Sequence, residues 1–84
     1  GNIITNIPEE MIMEIADFGS ELCVCENNMP FLRTYGMVGI GDMLALIGSH
    51  GFLEIAVNQG SASRILGIEN SDEVKVRPPG KRKR

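Results

Sequence analysis

His50 is the only histidine of the chain, and Ser49 precedes it directly. An imidazole acting as a general base needs an acid or nucleophile arranged around it, and two neighbours in a turn do not make such a pair. A metal site needs several ligands. The two cysteines, Cys23 and Cys25, stand as C-x-C with no second pair and no histidine beside them, which is a poor zinc signature. On one strand they would point to the same face, one pleat apart, where a disulfide rarely forms. Two reduced thiols in an intracellular protein are the expectation. There is no glycine-rich phosphate loop ahead of a helix and no G-x-S-x-G. The chain therefore offers no catalytic residues and no metal ligands of its own, which favours a binding half over a complete enzyme. Most informative is the stretch 51–62, G-F-L-E-I-A-V-N-Q-G-S-A. It places one acid, Glu54, inside an apolar run beside the small Ala56. Such a strand can present a backbone edge and one side-chain partner to a flat ligand. The plainer alternative is a hairpin strand with a solvent-facing Glu.

The elements around these residues follow from periodicity and punctuation. Ile3, Ile4, Thr5 and Ile7 are β-branched and predict a strand over 2–7. Pro8-Glu9-Glu10 opens a helical turn, with proline suited to the first position and the acids to the positive end of the helix dipole. Residues 21–26 alternate as a strand, Asn27-Asn28 reads as a turn, and a further strand is expected over 31–35. Gly36, Gly39 and Gly41 mark a loop. Two apolar strands, 43–47 and 52–57, enclose the tight connection Gly48-Ser49-His50-Gly51 as a hairpin. Asn58-Gln59-Gly60 is a turn signal, 61–66 a short helix closed by Gly67, and 73–76 a last strand. Six short strands separated by turns, with one or two helical turns, predict an all-β (mainly β) fold, a small antiparallel β-barrel.

At 84 residues the chain makes one small domain. Its apolar fraction of 43 % is ordinary, and with 5 % aromatics and no Trp the core falls to Ile, Leu, Val, Met and Phe. No apolar run approaches the ~20 residues of a membrane-spanning helix, and no signal peptide is evident. The chain starts directly in strand-like sequence, as a fragment or cut domain would. The net charge of −3 is unevenly placed. Residues 1–76 hold three basic residues against eleven acids, a balance of −8, whereas 77–84 hold five basic residues and no acid. The acidic body argues against a nucleic-acid face. The tail, Pro78-Pro79-Gly80-Lys81-Arg82-Lys83-Arg84, cannot pack a core and is expected to be a disordered, solvated terminus.

Four segments in order carry a resemblance: G-N-I-I-T-N-I-P at the start, Arg33-Thr34-Tyr35, Gly48-Ser49-His50-Gly51, and F-L-E-I-A-V-N-Q-G-S-A. Together they resemble the C-terminal domain of the S-adenosyl-L-methionine (SAM) hydroxide adenosyltransferases, a family related to the SAM-dependent fluorinases and chlorinases. The resemblance covers residues 1–76. It implies a β-barrel joined to a larger N-terminal α/β domain, in a homotrimer that holds SAM between one subunit's N-terminal domain and its neighbour's C-terminal domain. In the hydroxide branch an Asp, an Arg and a His of the N-terminal domain prepare the water that attacks ribose C5′; none of the three matches a position here. The resemblance implies that Asn2 holds polar groups of the methionine or ribose end, that Tyr35 lies against adenine, and that Ser49 bonds the methionine carboxylate. His50 stands where halogenating members place an Arg, which fits the hydroxide branch better. Glu54 and Ala56 match the strand edge that reads adenine.

The reading that follows is the C-terminal half of a SAM hydroxide adenosyltransferase, which converts SAM and water to adenosine and L-methionine. SAM is then a substrate, no cofactor is required, and the compartment is cytoplasmic. The alternative is a stand-alone, non-catalytic adenosine- or SAM-binding module. RNA binding through the basic tail is disfavoured by the acidic body, and the nucleophile, whether hydroxide, chloride or fluoride, is set outside this stretch.

Overall fold

The computed structural model describes residues 2–67 and 74–78. Along the chain run β1 (Ile3–Pro8), α1 (Glu9–Ile12), β2 (Glu21–Val24), β3 (Asn27–Pro30), a 3-10 turn at Tyr35–Met37, β4 (Met43–Ile47), β5 (Phe52–Val57), α2 (Ala62–Leu66) and β6 (Val76–Arg77). They form two three-stranded sheets in the orders β1-β5-β4 and β3-β2-β6, antiparallel at every ladder. Among the described residues one isolated parallel bridge, Phe31 to Ala45, joins the sheets, supported by the Leu32 N–H donating to the Ala45 carbonyl at 2.8 Å. The mainly-β, antiparallel character is as expected. A closed barrel is not seen among the described residues: β6 is two residues long, pairs with β2, and no ladder connects it to β1.

Alternation along β5 decides where everything else goes. Leu53, Ile55 and Val57 face the main core with Ile3, Ile12, Leu22, Val24, Met29, Phe31 and Ala45. Glu54 and Ala56 point to the opposite face, as successive strand residues must. There Ala56, Leu44 and Leu46 form a second, small apolar cluster, covered by Leu32 and Val38 from the long connection between β3 and β4. Phe31 anchors that connection. It is fully buried, and Phe18 stacks on it at 4.6 Å between ring centres, with the Arg33 guanidinium 4.2 Å over the Phe18 ring.

Several expectations are corrected. The β2–β3 turn falls at Cys25-Glu26, both with positive φ (50° and 66°), and Asn27-Asn28 belong to β3. The observed register sets Met29 opposite Leu22 in the core. A turn two residues later would have set Arg33 there, and burying an unpaired guanidinium costs far more than two left-handed residues. The Asn27 side chain donates to the Cys25 carbonyl at 2.9 Å and braces the turn. Cys25 thereby leaves the strand, so the two thiols do not share a face: Cys23 is buried, Cys25 half-buried, and both are free. Third, 31–35 is not a strand, because Pro30 is followed by the crossing to β4 and the 3-10 turn. The last strand lies at Val76–Arg77; Glu73, where it was expected to begin, and residues 79–84 of the basic tail lie outside the described residues. Arg77 pairs with Cys23 on β2 and donates to Glu26 at 2.7 Å, a hydrogen bond that holds the exposed Glu26 carboxyl below its ordinary range. Pro8, expected to open the helical turn, ends β1 and stands as the N-cap of α1, whereas the β4–β5 hairpin and α2 are as expected. The 48–51 hairpin forms, Ser61 caps α2 by accepting from the Arg64 N–H, and Gly67 closes it at φ 71°. Among the described residues no helix is long and apolar enough to cross a membrane.

Thr5 repairs the one irregularity next to the site. The β1–β5 register slips between Ile4 and Pro8. In that gap the buried Thr5 hydroxyl donates to the Leu53 carbonyl at 2.8 Å and accepts from the Ile7 N–H at 3.1 Å. Thr5→Val keeps the shape and strands both backbone groups. Urea unfolding is expected to show a loss of about 1–3 kcal/mol; a loss below about 0.5 kcal/mol would mean that water reaches the bulge and replaces the hydroxyl.

Candidate functional site

The residues singled out in sequence come together on the second face of the β1-β5-β4 sheet. Register places them there. Ile4 pairs with Glu54, so Asn2, two residues earlier on the same side of β1, lies diagonally across from the Glu54 carboxylate. The Asn2 amide nitrogen donates to Glu54 Oε2 at 2.6 Å and also to the Tyr35 hydroxyl oxygen at 3.1 Å. Tyr35 arrives by the 3-10 turn, which rests on Leu32 and Val38 over the small cluster.

His50 closes the other side of the carboxylate. Its Nδ1 accepts the Phe52 N–H at 3.1 Å, so in the neutral ring the proton sits on Nε2, which faces Glu54 Oε1 at 3.3 Å. The ring also lies against Phe52, 5.8 Å between centres. Both His50 nitrogens are thus used within the hairpin. The Glu54 side chain keeps only 12 % of its surface exposed, and each of its oxygens has a donor. A carboxylate this far from water requires such partners.

Gly48 makes the pairing possible. A Cβ there would stand 2.4 Å from His50 Nε2 and 2.6 Å from Glu54 Oε1. Ser49 is exposed beside His50 at the tip of the loop. Gly51, with φ 89°, turns the chain back, and its carbonyl accepts from the Glu9 N–H at 3.1 Å, tying the hairpin to the start of α1.

Ala56 is placed differently from the strand edge expected of it. It has no exposed surface and lies in the central strand. The Gly48 N–H donates to the Phe52 carbonyl and the Asn58 N–H to the Asp42 carbonyl, so the even-numbered residues of β5 bond toward β4. The Ala56 backbone is therefore engaged with Leu44, and its methyl sits in the floor of the small cluster. The open edge comes further along, in the turn after β5. Asn2, Tyr35, Val57, Asn58, Gln59 and Gly60 line an open hollow of about 420 Å³. Asn58 is spent on structure: its side chain donates to the Val38 carbonyl, its N–H to Asp42, and its carbonyl accepts from Gly41. Gln59, at φ 57°, has neither its backbone N–H nor its carbonyl bonded among the described residues. Asn58-Gln59-Gly60 was legible as a turn; which of its backbone groups remain open was not, because that depends on bonds to the 38–42 segment. Among the described residues no group of three or more His, Cys, Asp and Glu side chains gathers as a metal would require.

Gly48→Ala is expected to leave the fold intact, since the atoms it meets are ends of movable side chains, but to drive the His50 ring off Glu54. In the wild type, ring 15N NMR should show a protonated Nε2 and a bare Nδ1. In Gly48→Ala that preference should be lost. An unchanged ring spectrum would refute the role given to Gly48.

Comparison with known proteins places the chain in a family. Residues 1–75 match the family described as the SAM hydroxide adenosyltransferase C-terminal domain. Over 76 residues the chain is 34 % identical to the (R)-S-adenosyl-L-methionine hydrolase of Thermus thermophilus, covering 90 % of this chain and 28 % of that protein. Among solved structures, an uncharacterized conserved protein from Thermotoga maritima superposes with a TM-score of 0.85 at 36 % identity, over 90 % of this chain and 31 % of its own. A conserved hypothetical protein from Thermus thermophilus superposes at 0.63 with 39 % identity, over 73 % and 26 %. The chain thus spans less than a third of the length of each of these relatives. By the match over residues 1–75 and the shared fold, it belongs to the SAM hydroxide adenosyltransferase family, as its C-terminal domain.

Proposed function

We propose that this domain supplies the SAM-binding wall of an enzyme that splits SAM with water into adenosine and L-methionine. The observation that carries the reading is the hollow where Tyr35, Asn2 and the open Gln59 backbone converge beside the Glu54–His50 pair. A flat aromatic face, a side-chain amide and one free N–H with one free carbonyl suit a purine: the ring stacks, and its edge both donates and accepts. The adenosine end lies in the hollow and the methionine end runs toward the Gly48-Ser49-His50 loop, where the Ser49 hydroxyl meets the carboxylate. His50, with both nitrogens engaged, supports Glu54 in this arrangement and does not hold the carboxylate itself.

The chemistry on this reading is displacement at ribose C5′. Water attacks, the C5′–S bond breaks, and the sulfonium leaves as neutral methionine while the attacking water loses a proton to the partner domain. A cationic leaving group needs no acid, so the main demand on the protein is orientation of SAM and water. The N-terminal α/β domain provides the groups around the water, SAM is the substrate and no cofactor takes part, and the setting is cytoplasmic. Exposed Tyr35, Met37 and Ile40 give the 35–40 segment an apolar surface suited to a neighbouring subunit, in keeping with a homotrimer. Closure of the two sheets into a barrel belongs to the same reading.

The test is release of adenosine from SAM by the whole protein carrying this domain, with Tyr35→Ala alongside the wild type. Losing one base–aromatic stack is expected to lower kcat/KM about 5- to 150-fold, chiefly through KM, while Tyr35→Phe retains most of the activity. A wild type that neither binds SAM nor releases adenosine would overturn the reading. Normal kinetics in Tyr35→Ala would move the adenine site elsewhere.

A further inference from the structure

We infer that Glu54 is a positioning residue that fixes the sense of the Asn2 amide, so that the hollow meets its ligand with a hydrogen-bond acceptor at Asn2. The inference rests on the hollow being the adenosine end of the site, as proposed above.

The directions of the hydrogen bonds carry it. The Phe52 N–H has only a hydrogen to give, so His50 Nδ1 is bare and Nε2 carries the proton toward Glu54 Oε1. With that donor on one oxygen, the carboxylate accepts at the other as well, so the Asn2 atom 2.6 Å away is the amide nitrogen. The same nitrogen gives its second hydrogen to the Tyr35 oxygen at 3.1 Å. Asn2 is then left with one polar atom to offer, the carbonyl Oδ1, which only accepts. Asn2 and Tyr35 both line the hollow.

A ligand edge that satisfies this acceptor carries an amino group. A 6-aminopurine has that edge; a 6-oxopurine places a carbonyl oxygen against Asn2 Oδ1 and leaves both without a hydrogen. Glu54 therefore selects adenosine over inosine without touching either, because it decides which end of the Asn2 amide faces outward. The direct contact between Glu54 and the exocyclic amine that the resemblance suggested is replaced by this indirect one.

Glu54→Gln tests the inference, since it keeps the size and shape of the side chain. The substituted amide can still accept from His50 through its oxygen, but its NH2 then faces Asn2, and the Asn2 amide turns over to present its nitrogen to the hollow. Dissociation constants for adenosine and for inosine are to be measured by calorimetry on the whole protein, wild type and Glu54→Gln. The wild type is expected to prefer adenosine by about tenfold or more, the cost of one unpaired polar group, and the variant to lose or invert that preference. A preference unchanged in the variant, with both nucleosides weakened alike or not at all, would overturn the positioning role. A wild type that binds neither nucleoside would instead overturn the reading of the hollow. If Glu54→Gln does not fold, the wild type decides: it should bind adenosine about tenfold or more tightly than inosine, and an equal or inverted preference would refute the orientation assigned to Asn2.

Discussion

Burial of β5 on both faces is the constraint from which the rest follows. As the central strand between β1 and β4 it spends its backbone on both neighbours, and its side chains must satisfy two environments at once. One face closes the main core. The other receives a single acid among small and apolar residues, where an unpaired carboxylate would be costly. Asn2, His50 and the side-chain-free Gly48 all answer to that acid, and Tyr35 joins through Asn2. The polar array is thus a condition of placing Glu54 in this strand.

Parts of this were legible in the residues. Apolar runs bounded by Gly48-Ser49-His50-Gly51 made the β4–β5 hairpin plain, because its hydrophobic alternation and its turn residues agree. Ser61 and Gly67 marked α2 by capping chemistry alone. The β2–β3 turn was misplaced because asparagine is a strong turn residue and cysteine and glutamate are not; the core partnership of Leu22 with Met29 outweighed that local preference. The strand expected after Pro30 failed for a related reason. Phe31 enters the main core and Leu32 covers the second face of the β1-β5-β4 sheet, long-range contacts that leave no local period.

The site divides the same way. Asn2, Tyr35, His50 and Glu54 were named from sequence, and the structure brings all four within one hydrogen-bonded chain. Their division of labour was hidden. Whether Ala56 or Gln59 presents an open backbone edge depends on the parity of a ladder and on bonds from the 38–42 segment, and neither is written in residue types. Nor does a lone histidine reveal that both its nitrogens are spent inside its own hairpin.

The small second cluster has a kinetic consequence. The segment bearing Tyr35 is fastened to the sheet by few apolar side chains, Leu32 and Val38 over Leu44, Leu46 and Ala56, and by the bonds of Asn58. Lifting it exposes far less surface than unfolding the main core, so its amides belong to the low-stability end of the exchange spectrum. One wall of the hollow is therefore the part free to open while the strands beneath it stay closed.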